Sequence, residues 1–288
     1  MALLLRVVLA SFVTLSLSVA ANADLSNQMK VDQSFEAVKE AVQNAGLTEI
    51  IQIDHARLAA AENVEMPPSR VQLFSDPGLN AEIMKHEIRA GLDLPFRALS
   101  FDEAGALSLL YTSSDFLAKR HGITDAPLLA KMDDHLVAVF EQVPDLSAQK
   151  VESTRVDKDF AVLELRSQYG VAETVARLKE TITAQSDTIW FGEIDFQSEA
   201  KAFGVELVPA QLLLFGGPAP GGVAMAEFPA IGLDAFCQKL LVYEGDDGKA
   251  RVLFNDIAAF ADLHYQRAIE PHAMLNKRLT ATFKGAIE

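Results

Sequence analysis

The chain has 288 residues, a formal net charge of −15 at pH 7 and a single cysteine, Cys237. Phosphate binding requires clustered Lys and Arg, and the sequence has no basic run, so it argues against a nucleic-acid partner. An internal disulfide is impossible with one cysteine. Cys237 lies in an apolar segment, and we expect it to be a buried core thiol.

The first 23 residues have the pattern of a secretory signal peptide. Arg6 precedes an apolar run over 7–20, and the small residues of 21–23 stand at the cleavage positions. The apolar run is shorter than the roughly 20 residues that a membrane span needs. We therefore expect residues 1–23 to be removed, which leaves a periplasmic or secreted protein without an integral membrane segment. An uncleaved N-terminal anchor is the alternative.

The first half of the mature chain begins with strands and helices in alternation and ends in a hairpin and two helices. Asp54 and Asp76 are placed to cap helices, because a carboxylate there accepts from the free N–H groups of the first turn. The predicted elements are a strand over 25–29, a helix from Ser34 to Gly46, a strand over 48–53, a helix over 55–62, a strand over 71–74, a helix from Pro77 to Gly91, a hairpin over 94–101 and 106–112, and helices over 114–121 and 128–143.

A diverged copy of the first half follows in the second half. At an offset of 141 residues the coincident pairs are Phe74 and Phe215, Pro77 and Pro218, Gly91 and Gly232, Asp93 and Asp234, and Phe96 and Cys237. Beyond the hairpin the offset becomes 143, which places His264 on His121. The predicted strands of this copy are 160–165, 188–194, 207–215, 238–243 and 249–254, and its predicted helices are 171–182, 223–231, 257–265 and 272–283.

The order of elements predicts an α+β protein. Each copy begins strand-then-helix and closes with an antiparallel hairpin, which favours a layered α/β sandwich with a largely antiparallel sheet over a doubly wound parallel one. We place the copies at 24–145 and 150–288, and we expect them to pack together as a pseudo-dimer.

These residues resemble the domain of unknown function 302 family (DUF302). In the first copy the resemblance lies in Asp54-His55-Ala56, Leu73-Phe74-x-x-Pro77, Gly91-Leu92-Asp93-Leu94-Pro95 followed by Arg97, and Arg120-His121-Gly122. The second copy keeps Asp195, Gly232-Leu233-Asp234 and His264, but Phe196 replaces the histidine and Ala235-Phe236 replaces Leu-Pro. The resemblance implies a self-pairing α+β domain and brings no established activity, so the cofactor is unknown. Any family site is better retained in the first copy.

Asp54, His55, Arg97 and His121 are the candidate ligand-binding residues. An imidazole beside a carboxylate, as in Asp54-His55, is a candidate acid–base group or metal ligand. The simpler interpretation of Asp54 is a helix cap. For His121 and His264 it is a cation that the helix dipole stabilises in a last turn.

Other motifs do not support catalysis or a metal site. The chain lacks His-x-x-x-His and Cys-x-x-Cys spacings, so we assign no metal ligand. Ser113, Ser114 and Asp115 sit in no Gly-x-Ser-x-Gly elbow, so we assign no catalytic residue. The glycine cluster 216–222 lacks the Lys and Ser or Thr of a phosphate loop, and we interpret it as a flexible helix entry.

The leading hypothesis is a non-catalytic exported module that binds a small molecule at a cleft or between the copies, where ligands are often found. One alternative is an enzyme or metal-binding protein that uses Asp54, His55 and His121, which requires these side chains to converge. Another is a structural or protein-interaction module with an exposed apolar patch.

Overall fold

The computed structural model describes residues 26–288, and the predicted signal peptide lies outside the described residues. The first half contains α1 (26–44), β1 (Thr48–Asp54), α2 (His55–Ala61), β2 (Ser69–Ser75), α3 (Pro77–His86), a 3-10 turn (Ile88–Leu92), β3 (Phe96–Glu103), β4 (Ala106–Tyr111), α4 (Ser114–His121), α5 (Ala126–Phe140) and β5 (Gln149–Lys150). The second half contains β6 (Val162–Arg166), α6 (Val171–Thr183), β7 (Ile189–Asp195), α7 (Phe196–Ala202), β8 (Ala210–Gly216), α8 (Pro218–Met225), a 3-10 turn (Pro229–Gly232), β9 (Gln238–Glu244), β10 (Ala250–Asn255), α9 (Ile257–Tyr265) and α10 (Glu270–Ile287).

The strands form two five-stranded sheets, in the orders β1-β2-β3-β4-β5 and β6-β10-β9-β8-β7. All neighbouring strands pair antiparallel except β4 and β5, which pair in parallel. The predicted α+β class with largely antiparallel sheets is therefore confirmed.

Each sheet presents one face to helices of its own half and the other face to the opposite half. Because side chains alternate along a strand, Ser100 of β3 points outward and meets Ser34 of α1, with 2.8 Å between the hydroxyl oxygens. In the second half Phe215 of β8 points outward against Phe283 of α10. The residues between these outward positions, such as Arg97 on β3 and Lys239 on β9, face inward.

The two halves pack together reciprocally. Helix α2 of the first half packs on α8 of the second, and α3 packs on α7. A Cβ on Gly222 in α8 would stand 2.6 Å from Cβ of Ala59 in α2, so the glycine permits this close approach. One apolar core also draws on both halves, and includes Leu99 and Leu214. The predicted pseudo-dimer is confirmed.

Two local predictions are wrong. Residues 26–29 belong to α1 and not to a strand, and Ser34 lies buried within that helix instead of capping it. The helix extends because Val31 adds a further apolar residue to the face that Phe35 continues. Helix α8 begins at Pro218, five residues before the predicted start, so residues 218–222 of the glycine cluster belong to the helix itself.

The alignment of the two copies also shifts by one residue ahead of β9. Phe74 pairs with Phe96, whereas the equivalent Phe215 pairs with Gln238. The second half therefore has one extra residue between Asp234 and its hairpin. Cys237 consequently does not match Phe96, and Lys239 takes the place of Arg97.

Candidate functional site

The inward faces of the two sheets meet at a cluster of polar and charged side chains, here called the central cluster. Every member is buried except His264, which is partly buried. The members are Asp93, Arg97, Arg120 and His121 from the first half and Asp234, Lys239, Asn255 and His264 from the second.

Asp93 is the acceptor at the centre of this cluster. Nη1 of Arg120 donates to both of its carboxylate oxygens at 2.8 Å, and Nη2 of Arg97 donates at 2.9 Å. Nε2 of His121 lies 2.6 Å from Oδ2. Burial alone would raise the pKa of Asp93, but Arg120, His121 and Arg97 outweigh it and hold the pKa well below its ordinary value. The carboxylate is therefore ionised and fully partnered.

The second half repeats the aspartate–histidine pair. Nε2 of His264 lies 2.9 Å from Oδ2 of Asp234, and Nδ2 of Asn255 donates to the Asp234 carbonyl at 2.7 Å. Burial again acts to raise the pKa of Asp234, but the bond from His264 and the charge of Arg97 leave it lowered.

Two arginines of the first half join the halves through this cluster. Arg120 donates from Nη2 to Oδ1 of Asn255 and from Nε to the Phe160 carbonyl, both at 2.8 Å. Nη2 of Arg97 lies 3.5 Å from Oδ1 of Asp234. The Arg97–Asp234 contact is an ion pair without a hydrogen bond, whereas the bonds of Arg120 fix orientation, because a guanidinium presents its donors in a rigid fork. The cluster therefore sets how the halves sit on each other.

Lys239 is the member of the central cluster whose charge is least compensated by hydrogen bonds. It is 4% exposed, and its Nζ has no hydrogen-bond partner among the described residues. Its pKa is lowered to about 7, chiefly by burial and also by the charge of Arg97, while Asp93 and Asp234 oppose the shift. A lysine in this position costs stability, since a buried ammonium loses its hydration without gaining a bond.

The four predicted binding residues divide among three places. Arg97 and His121 meet at Asp93. Asp54 caps α2, accepting from the Arg57 N–H at 2.9 Å, and its carboxylate also pairs with the Arg57 side chain. His55 lines a separate cavity between α2 and α8. Among the described residues, Asp54, His55 and His121 therefore share no hydrogen bond.

Sequence reasoning singled out Arg97 and His121 but missed Asp93, the residue that holds them. Asp93 recurs as Asp234, and His121 recurs as His264, in both copies at nearly the same spacing. A charged pair that recurs in both copies within apolar surroundings was the available signal for a buried ion pair.

Two larger clefts are lined by residues of both halves. One, of about 660 Å³, is bordered by α2, the segment 64–68 and Ala226. The other, of about 640 Å³, is bordered by the end of α3, the equivalent segment 206–208 and the β9–β10 hairpin. We call the second one the arginine cleft, because it contains Arg89, Arg166 and Arg251.

The arginines of this cleft differ in how far they are engaged. Nη1 of Arg89 lies 2.7 Å from Glu164, and its Nη2 lies 2.9 Å from Asp159. Arg251 pairs with Asp247 at 3.0 Å, but its buried Nη1 atom has no partner among the described residues. Arg166 is exposed, and it forms no ion pair or side-chain hydrogen bond within residues 26–288. Arg166 thus retains donors for a ligand, whereas the unpartnered Nη1 of Arg251 is buried.

Within residues 26–288, no helix combines the length and the apolar composition that a membrane crossing demands. Over the same range, no three or more His, Cys, Asp and Glu side chains converge in a way that could hold a metal ion.

The fold and the central cluster define a duplicated α+β protein whose halves are joined by buried ion pairs. The sequence profile of the family described as "Domain of unknown function DUF302" matches residues 23–143 and again residues 163–285. The chain belongs to this family and contains two copies of its domain.

Similar proteins cover only parts of the chain. Proteins named "Fluoride-specific ion channel FluC 1" from Brucella suis biovar 1 (strain 1330) and Brucella abortus biovar 1 (strain 9-941) are each 32% identical over 106 residues, or 37% of this chain. The match spans 41% and 38% of their own lengths. A crystal structure of an uncharacterized conserved protein DUF302 from Bacillus stearothermophilus is 19% identical, with a TM-score of 0.38, over 44% of this chain and 98% of its own.

Proposed function

We propose that this tandem DUF302 protein is an exported, non-catalytic module that binds a small molecule with an anionic group in the arginine cleft. The observation that carries the proposal is the cleft itself. Its volume of about 640 Å³ falls within the roughly 300–1,000 Å³ typical of ligand sites, and both halves build it.

Charge supports an anionic ligand at this place. The chain as a whole repels anions, with a net charge of −15. Arg166 nevertheless stands in the cleft with exposed, unused donors, and a guanidinium matches a carboxylate or phosphate in a bidentate way. Acidic side chains that also line the cleft, including Glu206 and Glu244, would exclude ligands with a large negative charge.

The central cluster supports a non-catalytic role. An acid–base pair must reach the substrate proton, whereas Asp93 and His121 are both about 2% exposed and bonded to each other. Asp93 instead holds Arg97 and Arg120, the two residues that join the halves.

Export rests on the sequence pattern of residues 1–23. Fractionation of the native host followed by mass spectrometry of the intact protein tests it. We expect a periplasmic or secreted chain that begins at or near Asp24. A cytoplasmic chain that retains residues 1–23 would contradict export.

Ligand binding is tested by calorimetric titration of the full mature chain with carboxylates, phosphomonoesters and fluoride at low and high salt. Fluoride is included because the partially matching Brucella proteins are named as fluoride-specific ion channels. We expect one class of anion to bind, and Arg166→Gln to weaken it by about tenfold or more, the loss of a charge-assisted bond. The matched control, Arg177→Gln on the outer helix α6, should bind normally. No binding by any compound, or equal binding by Arg166→Gln, would refute the cleft as the site.

A further inference from the structure

The cleft bordered by α2 and the segment 64–68 is here called the apolar cleft. Its volume of about 660 Å³ lies within the roughly 300–1,000 Å³ typical of ligand sites. Most of its lining residues are apolar, and none of them is aromatic. Those that remain partly exposed to solvent are Val64, Met66, Pro67, Pro68 and Ala226. A concave apolar surface of this size favours a ligand with an apolar body.

The segment 64–68 is fixed on three sides. The Val64 N–H donates to the Ala59 carbonyl of α2 at 3.0 Å, and the Asp102 N–H of β3 donates to the Pro68 carbonyl at 2.8 Å. Towards the second half, a Cβ on Gly222 would stand 2.9 Å from Cγ1 of Val64. The wall of the cleft is therefore formed before a ligand arrives, which lowers the entropic cost of binding.

Asp102 brings a buried carboxylate without a counter-ion to this cleft. The residue lines the cleft and is 8% exposed. Nδ2 of Asn27 donates to its Oδ2 at 2.8 Å, and the Gly105 N–H donates to its Oδ1 at 2.7 Å. Both donors are neutral, and a carboxylate offers about four acceptor sites. Asp102 thus retains capacity for a cation, and a cation would offset the cost of burying its charge.

The one base among the described residues that line the apolar cleft is Arg57, and it is already engaged. Its Nη2 lies 2.6 Å from Oδ2 of Asp32, and its Nη1 bonds to Asp54. Its donors are therefore not directed to the acidic residues of the cleft. Glu65, the second carboxylate of the lining, is exposed and makes no hydrogen bond or ion pair within residues 26–288.

Comparison with the arginine cleft shows what is particular to the apolar cleft. The two Asp102 and Glu244 N–H groups donate to equivalent carbonyls, of Pro68 and Pro209, so the clefts occupy equivalent places in the two halves. The equivalent pairs are Glu65 and Glu206, Asp102 and Glu244, Ala226 and Lys85, and Ala230 and Arg89. Both acidic positions recur, whereas alanines stand in place of the two basic residues. The apolar cleft thus keeps carboxylates without the bases that accompany them in its counterpart.

We propose that the apolar cleft binds a primary organic amine with an apolar body, whose ammonium group donates to the carboxylate of Asp102. Glu65 adds negative charge on the exposed side of the cleft, and the net charge of −15 attracts cations to the protein as a whole. A quaternary ammonium ion has no N–H to donate and is typically held by aromatic faces, which this lining lacks. The site is separate from the proposed anion site, because the two clefts share no lining residue.

The test is a calorimetric titration of the full mature chain with hexylamine at pH 7. We expect saturable binding of one molecule per chain. Hexan-1-ol and hexyltrimethylammonium should bind about tenfold or more weakly, since neither can form a charge-assisted hydrogen bond with the carboxylate. Butylamine should bind more weakly by about fourfold for each of the two missing methylenes, as burial in an apolar cleft requires.

Four variants locate the bound amine. Asp102→Asn should weaken hexylamine binding by about tenfold or more, and Glu65→Gln by up to about fivefold, as for an exposed charge. Ala60 is exposed and lines the cleft, so Ala60→Phe fills the site without touching either carboxylate and should weaken binding by about tenfold or more. The matched control is Glu40→Gln, an equal change of charge at an exposed position further along α1, and it should bind like the wild type.

Circular dichroism and cooperative unfolding establish that each variant is folded, and Ala60→Phe tests the site even if Asp102→Asn does not fold. Weaker binding by Ala60→Phe together with the preference for hexylamine over hexan-1-ol would support the proposal. The proposal would be overturned by an absence of saturable hexylamine binding, by equal binding of hexylamine and hexan-1-ol, or by unchanged binding in folded Asp102→Asn or Ala60→Phe.

Discussion

Asp93 accepts from Arg97, Arg120 and His121 inside a space from which water is excluded. Asp93→Asn keeps the shape but removes the charge that compensates two guanidinium groups. Because an uncompensated buried charge is costly, we expect a loss of about 3–5 kcal/mol in the free energy of unfolding. Chemical denaturation of the mature chain measures it.

The control for Asp93→Asn is Glu82→Gln. Glu82 pairs with Lys131, but both side chains are about half exposed, and such pairs contribute only about 0–1 kcal/mol. Equal effects of the two substitutions would show that the buried cluster does not stabilise the fold as described.

Substitution of Lys239 should have the opposite effect on stability from substitution of Asp93. Its pKa is about 7 in the folded protein, where it faces Arg97, Asp93, Asp234 and Cys237, and about 10.4 in an unfolded chain. Between these two values the unfolded chain binds the extra proton, so the stability of the wild type rises with pH.

Lys239→Met removes the free-energy cost of burying the amine, and we expect a stabilisation of about 1–4 kcal/mol. The gain should be largest below pH 7 and should shrink as the pH approaches 10. Thermal unfolding of both proteins across this pH range measures the difference. A destabilised variant at every pH would mean that the ammonium is compensated in solution.

At the residue scale, motif reasoning found two members of the central cluster but not the pairings between its members. Arg97 and His121 stood out as sequence motifs, and Asp54 was correctly placed as a cap because capping depends on neighbours in sequence. The partner of His121 lies 28 residues away, and a contact of that kind depends on the fold. Lys239 was not recognised as the counterpart of Arg97, because the second copy has one additional residue ahead of β9 and the sequence alignment is shifted there.

Helix α8 shows how an element can be shaped by what it touches. Gly222 meets Ala59 and Val64 of the first half, and a Cβ there would stand 2.6 Å and 2.9 Å from their side chains. Gly222→Ala must push α8 away from α2, so we expect a destabilisation of about 1–3 kcal/mol. Chemical denaturation tests it.

Gly285 in α10 provides the comparison, since nothing lies within 4 Å of the position that its Cβ would take. Here only helix propensity changes, and Gly285→Ala should stabilise the protein by up to about 1 kcal/mol. If both substitutions stabilised the protein, the close packing of α8 on α2 would be refuted.

The same contact explains why α8 was misplaced from sequence. Four glycines and two prolines in 216–222 argue locally against a helix. Packing against α2 supplies the stability that propensity lacks, as tertiary context often does. The other strands, apart from the wrong one over 25–29 and the short β5, were predicted closely, because their apolar runs and turn residues are local signals.

At the scale of the whole molecule, the shared core predicts a single unfolding transition. Apolar residues of both halves form one cluster, and Arg120 bonds to both halves. Neither half can open without exposing the other, so we expect the loss of structure to be all-or-none.

Trp190 on β7 is the only tryptophan and reports on the second half alone. Its fluorescence should therefore change at the same denaturant concentration as the far-ultraviolet circular dichroism, which reports on both halves. Two separated midpoints would contradict the joint core.

The reciprocal packing of α2 on α8 and α3 on α7 has a consequence for how the two halves can evolve. In a dimer of two identical chains packed in this way, every mutation would appear in both subunits. Fused in one polypeptide, the halves meet at a high effective concentration and each can vary alone. A histidine can then be kept at one site while phenylalanine fills its counterpart, so tandem fusion gives a symmetric dimer the freedom to become one-sided.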